Sequence, residues 1–219
     1  MAQGLRDKPT GPHNNLQVPH APHAVLDANV LYAAPLNDLM IGLAQAGLLR
    51  PRWTHRIHQE WLGARLGKDP TADRAGLEAR RDGFLAALPE ALVEGWEAFL
   101  PRLSPPQLSL PDPSDGHVLA AALASGADWL VSENRRDFPK RVLRRLDGAP
   151  KVIKPDDFLV EQVLPLDPDR AVAVLRACQG EQSGAAFRAS LRRQRLDRLA
   201  RWSPRGQRLG GLPRALRCQ

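Results

Sequence analysis

Three short apolar runs, separated by helical patterns, constrain the fold of this chain more than any other feature. The first two runs cover residues 24–26 and 129–131, and the third is Val152-Ile153 after Lys151, in a predicted strand over 151–153. Each is too short for a helix. Apolar spacing typical of helices fills much of the chain between them. Short buried strands that alternate with helices form right-handed βαβ units around a parallel sheet. The sequence therefore predicts an α/β domain.

Charge is distributed unevenly along the chain. The 219 residues carry 31 Lys and Arg against 24 Asp and Glu, which gives a net charge of +7. Eleven Arg and two acids fall within residues 176–219, so this segment carries the whole excess. A concentrated basic segment is typical of proteins that bind nucleic acid or an acidic partner. Arg outnumbers Lys 26 to 5 throughout, so base composition of the genome is the competing explanation.

The composition indicates three regions. Residues 1–23 are polar and rich in Pro and His, which predicts a disordered N-terminal extension. We assign residues 24–165 to the α/β domain and residues 166–219 to a helical, Arg-rich C-terminal extension. Within that extension, a basic amphipathic helix is predicted over 187–202. It would bind nucleic acid or a protein partner through four of its arginines: Arg188, Arg192, Arg193 and Arg195.

Several classes of protein are excluded by what the sequence lacks. No run reaches the ~18 apolar residues of a membrane-spanning helix, so no membrane association is expected. The N-terminus has no apolar core of a secretory signal, and Cys178 and Cys218 are too few for a disulfide framework. We therefore expect a reducing, cytoplasmic location. The glycine-rich phosphate-binding motifs and the Gly-x-Ser-x-Gly elbow are also missing.

Acids and an amide lie close to the predicted strands. Asp27 ends the first run, and Asn134 and Asp137 follow the second. Asp112 and Asp115 precede an alanine-rich helical pattern in a loop that prolines bound. Open α/β sheets build their sites at the carboxyl ends of their strands. Turn formation would explain Asp27 equally well, and helix capping by Asp115 would explain one of the loop acids but not both.

Glu60 lies on a predicted helix whose apolar stripe includes Ile57 and Ala64. This spacing points its carboxylate toward the stripe, where an unpaired charge is costly. The alternative places Glu60 at the edge of the stripe, where it reaches water. His55 and His58 share the helix and could bind a transition metal, but no second pair of ligands has a matching spacing.

Several carboxylates at one place repel each other and raise one another's pKa unless a cation lies between them. Mg²⁺ and Mn²⁺ are hard cations that take oxygen ligands of this kind. Such a site activates a water and stabilises the charge of a phosphodiester transition state. If these acids meet, the residues favour metal-dependent phosphodiester hydrolysis.

Three stretches of the chain resemble the PIN domain family. They are LDANVLY at 26–32, WTHRIHQEW at 53–61, and a segment over 112–139 with the strings DPSDGHVLAAA, GADWLVSEN and DFP. The resemblance spans about residues 24–165 and is nearest to bacterial PIN proteins similar to VapC-type toxins. It implies a PIN-like (Rossmann-like) three-layer α/β/α fold with a parallel sheet. It also implies an Mg²⁺- or Mn²⁺-dependent endoribonuclease.

The resemblance assigns roles to individual residues. Asp27, Glu60 and Asp115 match the three acids that bind the metal and carry the catalysis. Asn134 stands at a fourth catalytic position, where many relatives carry Asp and others Asn, and this weakens a second metal site.

Three more residues receive supporting roles from the same comparison. Ser132 resembles a Ser or Thr that hydrogen-bonds near the scissile phosphate. Asp112 would support the metal ligands from outside. Asp137 would either compensate for Asn134 or anchor its own loop.

The expected function is the toxin half of a type II toxin–antitoxin pair that hydrolyses RNA. Its expected partners are RNA, an antitoxin protein and a second copy of the chain. Two alternatives stay open: a catalytically weak PIN-fold module that binds protein or RNA, and a structure-specific DNA nuclease.

Overall fold

Four short parallel strands form the centre of the fold. The computed structural model describes residues 20–32, 34–69, 71–103 and 109–202. Within these residues the strands are β1 (His23–Leu26), β2 (Arg50–Arg52), β3 (Trp129–Val131) and β4 (Lys151–Ile153), in the order β2-β1-β3-β4. Every neighbouring pair is parallel, with Val25 opposite Leu130 between the two central strands. The predicted α/β fold with a parallel sheet is confirmed.

Strand β2 is absent from the sequence prediction. Its residues are Arg50, Pro51 and Arg52, which carry no apolar run. A proline cannot donate to the sheet, so it is tolerated only where a strand has a free side or ends. Beyond β2, Leu92 forms a single parallel bridge with Trp53.

Helices flank the sheet and connect its strands. They are α1 (Ala28–Leu31), α2 (Leu36–Gln45), α3 (His55–Lys68), α4 (Arg74–Ala87), α5 (Gly116–Ser125), α6 (Lys140–Leu143), α7 (Pro155–Phe158), α8 (Pro168–Gln179) and α9 (Gly184–Arg193). Short 3₁₀ segments cover Pro89–Ala91, Trp96–Leu103, Pro113–Asp115 and Leu199–Trp202, and a π turn covers Leu159–Val163. No helix in the described ranges is long and apolar enough to cross a membrane.

Local signals explain where two of the helices that matter for the site begin and end. The Thr54 hydroxyl accepts a hydrogen bond from the Ile57 amide at 3.1 Å, which caps α3 as its sequence predicts. Helix α5 is buried over most of its length, as an alanine-rich helix should be. It ends at Gly126, whose φ of 62° suits glycine.

The strand order places a site at one edge of the sheet. From β1 the chain moves outward to β2, then returns past β1 to form β3 on its other side. The connections therefore diverge between β1 and β3. A crevice forms at such a switch point, outside the carboxyl ends of the strands. Asp27 and Ser132 directly follow β1 and β3 and so lie at this crevice.

The described part of the C-terminal extension packs on the domain. Leu175 of α8 and Phe187 and Leu191 of α9 are fully buried in the same core as the sheet. Gly42 of α2 allows α8 to approach closely, since a Cβ there would lie 2.9 Å from Val174. The helix predicted over 187–202 is wrong in its length. Helix α9 ends at Arg193, and a separate 3₁₀ turn follows; residues 203–219 lie outside the described residues.

Asp156 holds the last described segment against α7. Its two carboxylate oxygens accept hydrogen bonds from the backbone amides of Arg198 at 2.8 Å and Leu199 at 2.9 Å. The guanidinium of Arg198 also pairs with Asp157 and Glu161. Asp156 is itself buried, so its charge is tolerated because both oxygens are satisfied.

We expect Asp156→Ala to lower the free energy of unfolding by about 1–3 kcal/mol, because two backbone amides lose their acceptor. Asp156→Asn should have a smaller effect, since it keeps one acceptor oxygen. Chemical denaturation measures both values. Glu94→Ala is the control, an exposed acid without a side-chain partner among the described residues, and should change stability by less than about 0.5 kcal/mol. Equal effects of the three substitutions would contradict the role of Asp156.

Candidate functional site

A cleft of about 360 Å³, which we call the acidic cleft, lies at the carboxyl ends of β1 and β3. It collects four carboxylates from four separate segments of the chain. Its lining residues are Asp27, Ala28, Asn29, Tyr32, Glu60, Trp61, Ala64, Asp115, Asn134 and Asp137. All four residues predicted to be catalytic are therefore in one place. Of the three predicted supporting residues, only Asp137 lines the cleft.

Asp27 forms the floor of the acidic cleft and is 7% exposed. One of its oxygens accepts the Ala28 amide at 2.7 Å, which caps α1. The other accepts the Ser132 hydroxyl at 2.6 Å and the Asn29 amide at 2.5 Å. Burial raises the pKa of Asp27, and these hydrogen bonds oppose the increase. Asp27 thus caps α1 and also lines the acidic cleft.

Ser132 and Asn29 tie the ends of the two central strands together. Ser132 Oγ accepts hydrogen bonds from Asn29 Nδ2 at 3.1 Å and from the Asn134 amide at 3.0 Å. Asn29 Oδ1 accepts the Glu133 amide at 3.1 Å. The sequence analysis gave Asn29 no role. Its place in the first turn of α1, two residues after Asp27, is the signal that could have identified it.

Asp112 and Asp115 have different roles: Asp112 caps the turn, and Asp115 lines the acidic cleft. Asp112 is exposed, lies outside the acidic cleft and caps the turn by accepting the Ser114 amide at 2.8 Å. These bonds to Ser114 lower the pKa of Asp112. Helix capping by Asp115 is a wrong prediction, because its side chain makes no capping hydrogen bond. The Asp115 carboxylate is instead available to the cleft.

The protonation of Asp115 is strongly perturbed. Burial raises its pKa to about 7, and the neighbouring negative charges of Asp27, Asp137 and Asp112 act in the same direction. Asp115 also shares a hydrogen bond with Asp137. A cation in the cleft would remove this repulsion.

Glu60 lies at the edge of the apolar stripe of α3. Its side chain is 38% exposed, so the prediction that it points into the stripe is wrong. Glu60 Oε1 accepts His117 Nε2 at 2.7 Å, and Arg56 Nε lies 3.6 Å away. The His117 side chain is only 1% exposed and packs edge-on against Trp96. His117 on α5 thus orients the carboxylate of Glu60.

Asn134 and Asp137 lie together on the loop after β3. The side-chain amide of Asn134 donates to the Asp137 carboxylate. Because Asp137 also contacts Asp115, it brings a carboxylate to the part of the cleft where Asn134 has none. Compensation for Asn134 and anchoring of the loop both fit these contacts, so the two roles predicted for Asp137 stay open.

The donor atoms of the acidic cleft fit a hard divalent cation. They are carboxylate and amide oxygens, and Asp115 carries the electrostatic strain that a cation would relieve. In the part of the chain that the structure describes, no three side chains of His, Cys, Asp or Glu are arranged to hold one ion. Mg²⁺ commonly binds through one or two carboxylates and keeps several waters, so a wider spacing remains compatible with it.

The two other candidate groups do not join the acidic cleft. His58 is a buried core residue whose Nδ1 accepts Trp61 Nε1 at 3.0 Å, and burial lowers its pKa to about 4. His55, at the start of the same helix, is exposed. Of the predicted arginines, Arg195 lines a second cleft described below. The others, Arg188, Arg192 and Arg193, line neither cleft.

Comparison with known proteins adds one finding. A family model described as PIN domain matches residues 23–136, slightly more than half of the chain. Neither the curated proteins nor the solved structures include a match to this chain. The matched segment contains Asp27, Glu60, Asp115 and Asn134 and ends just before Asp137.

The acidic cleft should destabilise the protein when no metal is present. The pKa of Asp115 rises from 3.8 to about 7, so the folded state holds this proton more tightly than the unfolded state. Stability is therefore lost as the pH rises from about 4 through about 7. We expect Asp115→Asn to melt at a higher temperature than wild type in EDTA at about pH 8, with a smaller difference at about pH 5. A lower melting temperature for Asp115→Asn at the higher pH would contradict this electrostatic interpretation.

Proposed function

Because the chain belongs to the PIN domain family, whose members are generally nucleases, we propose that it is a metal-dependent endoribonuclease. One observation carries the proposal: four carboxylates from distant parts of the sequence line one cleft at the switch point of the sheet. A structural role does not require mutually repelling acids at that position. Burial, and after it the repulsion by Asp27 and Asp137, raises the pKa of Asp115.

In the proposed enzyme, Asp27, Glu60 and Asp115 would hold Mg²⁺ or Mn²⁺ partly through waters of the ion, because no three of the described acids are arranged to bind one ion directly. When bound, such an ion supplies an activated water and stabilises charge at the phosphorus. The protein positions the ligands. Ser132 and Asn29 orient Asp27, and His117 orients Glu60.

Asp137 and Asn134 are the remaining polar groups of the acidic cleft. We propose that the Asp137 carboxylate accepts a proton from the attacking water and that Asn134 orients it. Attack by an external water leaves a 5′-phosphate and a 3′-hydroxyl end. The 2′-hydroxyl of the RNA takes no part in this reaction.

The biological role proposed here is that of a toxin in a type II toxin–antitoxin pair. It rests on the resemblance of the strings around Asp27, Glu60 and Asp115 to VapC-type proteins. An antitoxin and a second copy of the chain are the expected protein partners. A location in the cytoplasm, where cellular RNA is found, agrees with this role.

A catalytically weak binding module is the second candidate, because Asn134 replaces a carboxylate at the fourth position. The two candidates differ in whether the acids of the cleft are needed for cleavage. The third, a DNA nuclease, differs only in substrate and needs a DNA arm in the same experiment.

The test is cleavage of total cellular RNA by wild type, Asp27→Asn and Asp115→Asn in EDTA, Mg²⁺ and Mn²⁺. We expect cleavage by the wild type only with metal, and a rate lower by at least about a hundredfold in both variants. Asp112→Asn is the matched control, since it removes an acid of the same loop outside the cleft. It should cleave at nearly the wild-type rate.

Equal cleavage by wild type and Asp115→Asn would contradict the proposed site. Faster cleavage of single-stranded DNA than of RNA would contradict the proposed substrate. If no protein cleaves, a calorimetric Mn²⁺ titration of wild type and Asp115→Asn decides. Mn²⁺ binding by the wild type alone supports the metal site, whereas no Mn²⁺ binding by either protein favours the binding module.

A further inference from the structure

A second cleft, which we call the basic groove, lies next to the acidic cleft. Its volume is about 830 Å³. Asn134 lines both clefts, so the two adjoin at this residue. Seven cationic side chains and one acid, Glu133, line the basic groove. The cations are Arg135, Arg136, Lys140, Arg144, Lys151, Lys154 and Arg195.

Most of these seven cations are available to a ligand, although Lys151 Nζ lies 5.3 Å from the centre of the Trp129 ring and Glu133 lies near Lys154 and Arg195. All of them belong to exposed residues, and within the described residues none forms an ion pair with an acid. Elsewhere in the described chain, cations such as Arg80, Arg170 and Arg198 do pair with neighbouring acids. Arginines are abundant throughout this sequence, so their number alone says little about function. A group of cations that lines one groove and forms no ion pairs is better evidence for a binding site.

Arg195 occupies a backbone position that normally selects glycine. Helix α9 ends when the Leu196 amide bonds to the Leu191 carbonyl at 3.0 Å, with Arg195 in the left-handed region at φ 60°. Helices α2 and α5 end with the same five-residue bond, and the left-handed residue there is Gly47 or Gly126. Among the described residues, Arg195 is the one non-glycine residue with positive φ. A Cβ is disfavoured in this conformation, so the side chain at this position calls for a function.

The walls of the basic groove are partly apolar. Leu143, Val152 and Pro139 lie among the cations and are half-buried. Grooves that bind single strands use cations that follow the backbone. Here the half-buried aliphatic side chains add apolar surface for sugars and bases. A groove of about 830 Å³ suits a few nucleotides of one strand better than a duplex.

We propose that the basic groove binds the sugar-phosphate backbone of single-stranded RNA next to the bond that the acidic cleft cleaves. This inference rests on the proposed nuclease function. Four carboxylates repel a nucleic acid strand, so its attraction has to come from elsewhere. Because the two clefts adjoin at Asn134, a strand bound in the groove would reach the acids of the cleft.

Binding of a short, fluorescein-labelled single-stranded RNA in EDTA, followed by polarisation over a salt series, tests the groove without cleavage. The first variant is Lys140→Gln/Arg144→Gln, which removes two groove cations. Its matched control is Arg141→Gln/Arg145→Gln, which removes two exposed cations of the same segment outside the groove. We expect the groove variant alone to lose affinity several-fold. The slope of log K against log salt should flatten by about 1.4, or about 0.7 for each phosphate contact.

Arg195→Gly separates binding from folding. Because glycine suits the left-handed conformation, the melting temperature should stay the same or rise. Its RNA affinity should nevertheless fall and its salt slope should flatten by about 0.7. A stable Arg195→Gly protein with wild-type RNA affinity would overturn the role of this residue.

The inference is overturned if the groove variant and its control have the same affinity and slope. It is also overturned if wild type binds no RNA at low salt, or if duplex DNA displaces the RNA more effectively than unlabelled RNA does. Its failure differs from that of the proposed function. If the wild type cleaves RNA with metal but the groove variants bind RNA as well as wild type does, only the role of the groove is refuted. If the groove variants alone lose RNA affinity but no protein cleaves RNA, only the nuclease function is refuted.

Discussion

The candidate site depends on the hydrogen bonds that join the carboxyl ends of the two central strands. Asp27 follows β1 and Ser132 follows β3. The Ser132 hydroxyl donates to the Asp27 carboxylate, and the side-chain amide of Asn29 donates to both of these residues. This network holds the buried Asp27 carboxylate in place at the floor of the cleft that the other acids line. Without it, Asp27 would lose the donors that oppose the effect of its burial.

Much of the fold follows from local patterns, because β1, β3 and β4 have apolar runs and α3 and α5 have clear boundary signals. Strand β2 has no such signal. Arg50 and Pro51 are tolerated there because β2 is the outermost strand and pairs only with β1 in the sheet. Likewise, the acids could be recognised singly from the sequence. Their arrangement could not, because whether Asp112 or Asp115 faces the cleft depends on a hydrogen bond to Ser114.

Two neighbouring surfaces of opposite charge follow from this arrangement. The acidic cleft gathers carboxylates at the switch point, and the basic groove continues from it along the loop after β3, α6 and β4. Most of these cations come from within the α/β domain, although the sequence concentrates its net charge after residue 176. The C-terminal helices contribute mainly apolar contacts to the core, together with one arginine at the groove.

The position of β4 has a consequence for where the folding unit ends. The family match stops at residue 136, but β4 covers Lys151–Ile153 and pairs with β3 along its outer side. A fragment limited to the matched residues would leave the backbone of β3 as an open edge, and it would also expose the apolar surface that α8 and α9 cover. Open edges of this kind recruit other chains. The smallest soluble unit is thus larger than the region by which the family is recognised.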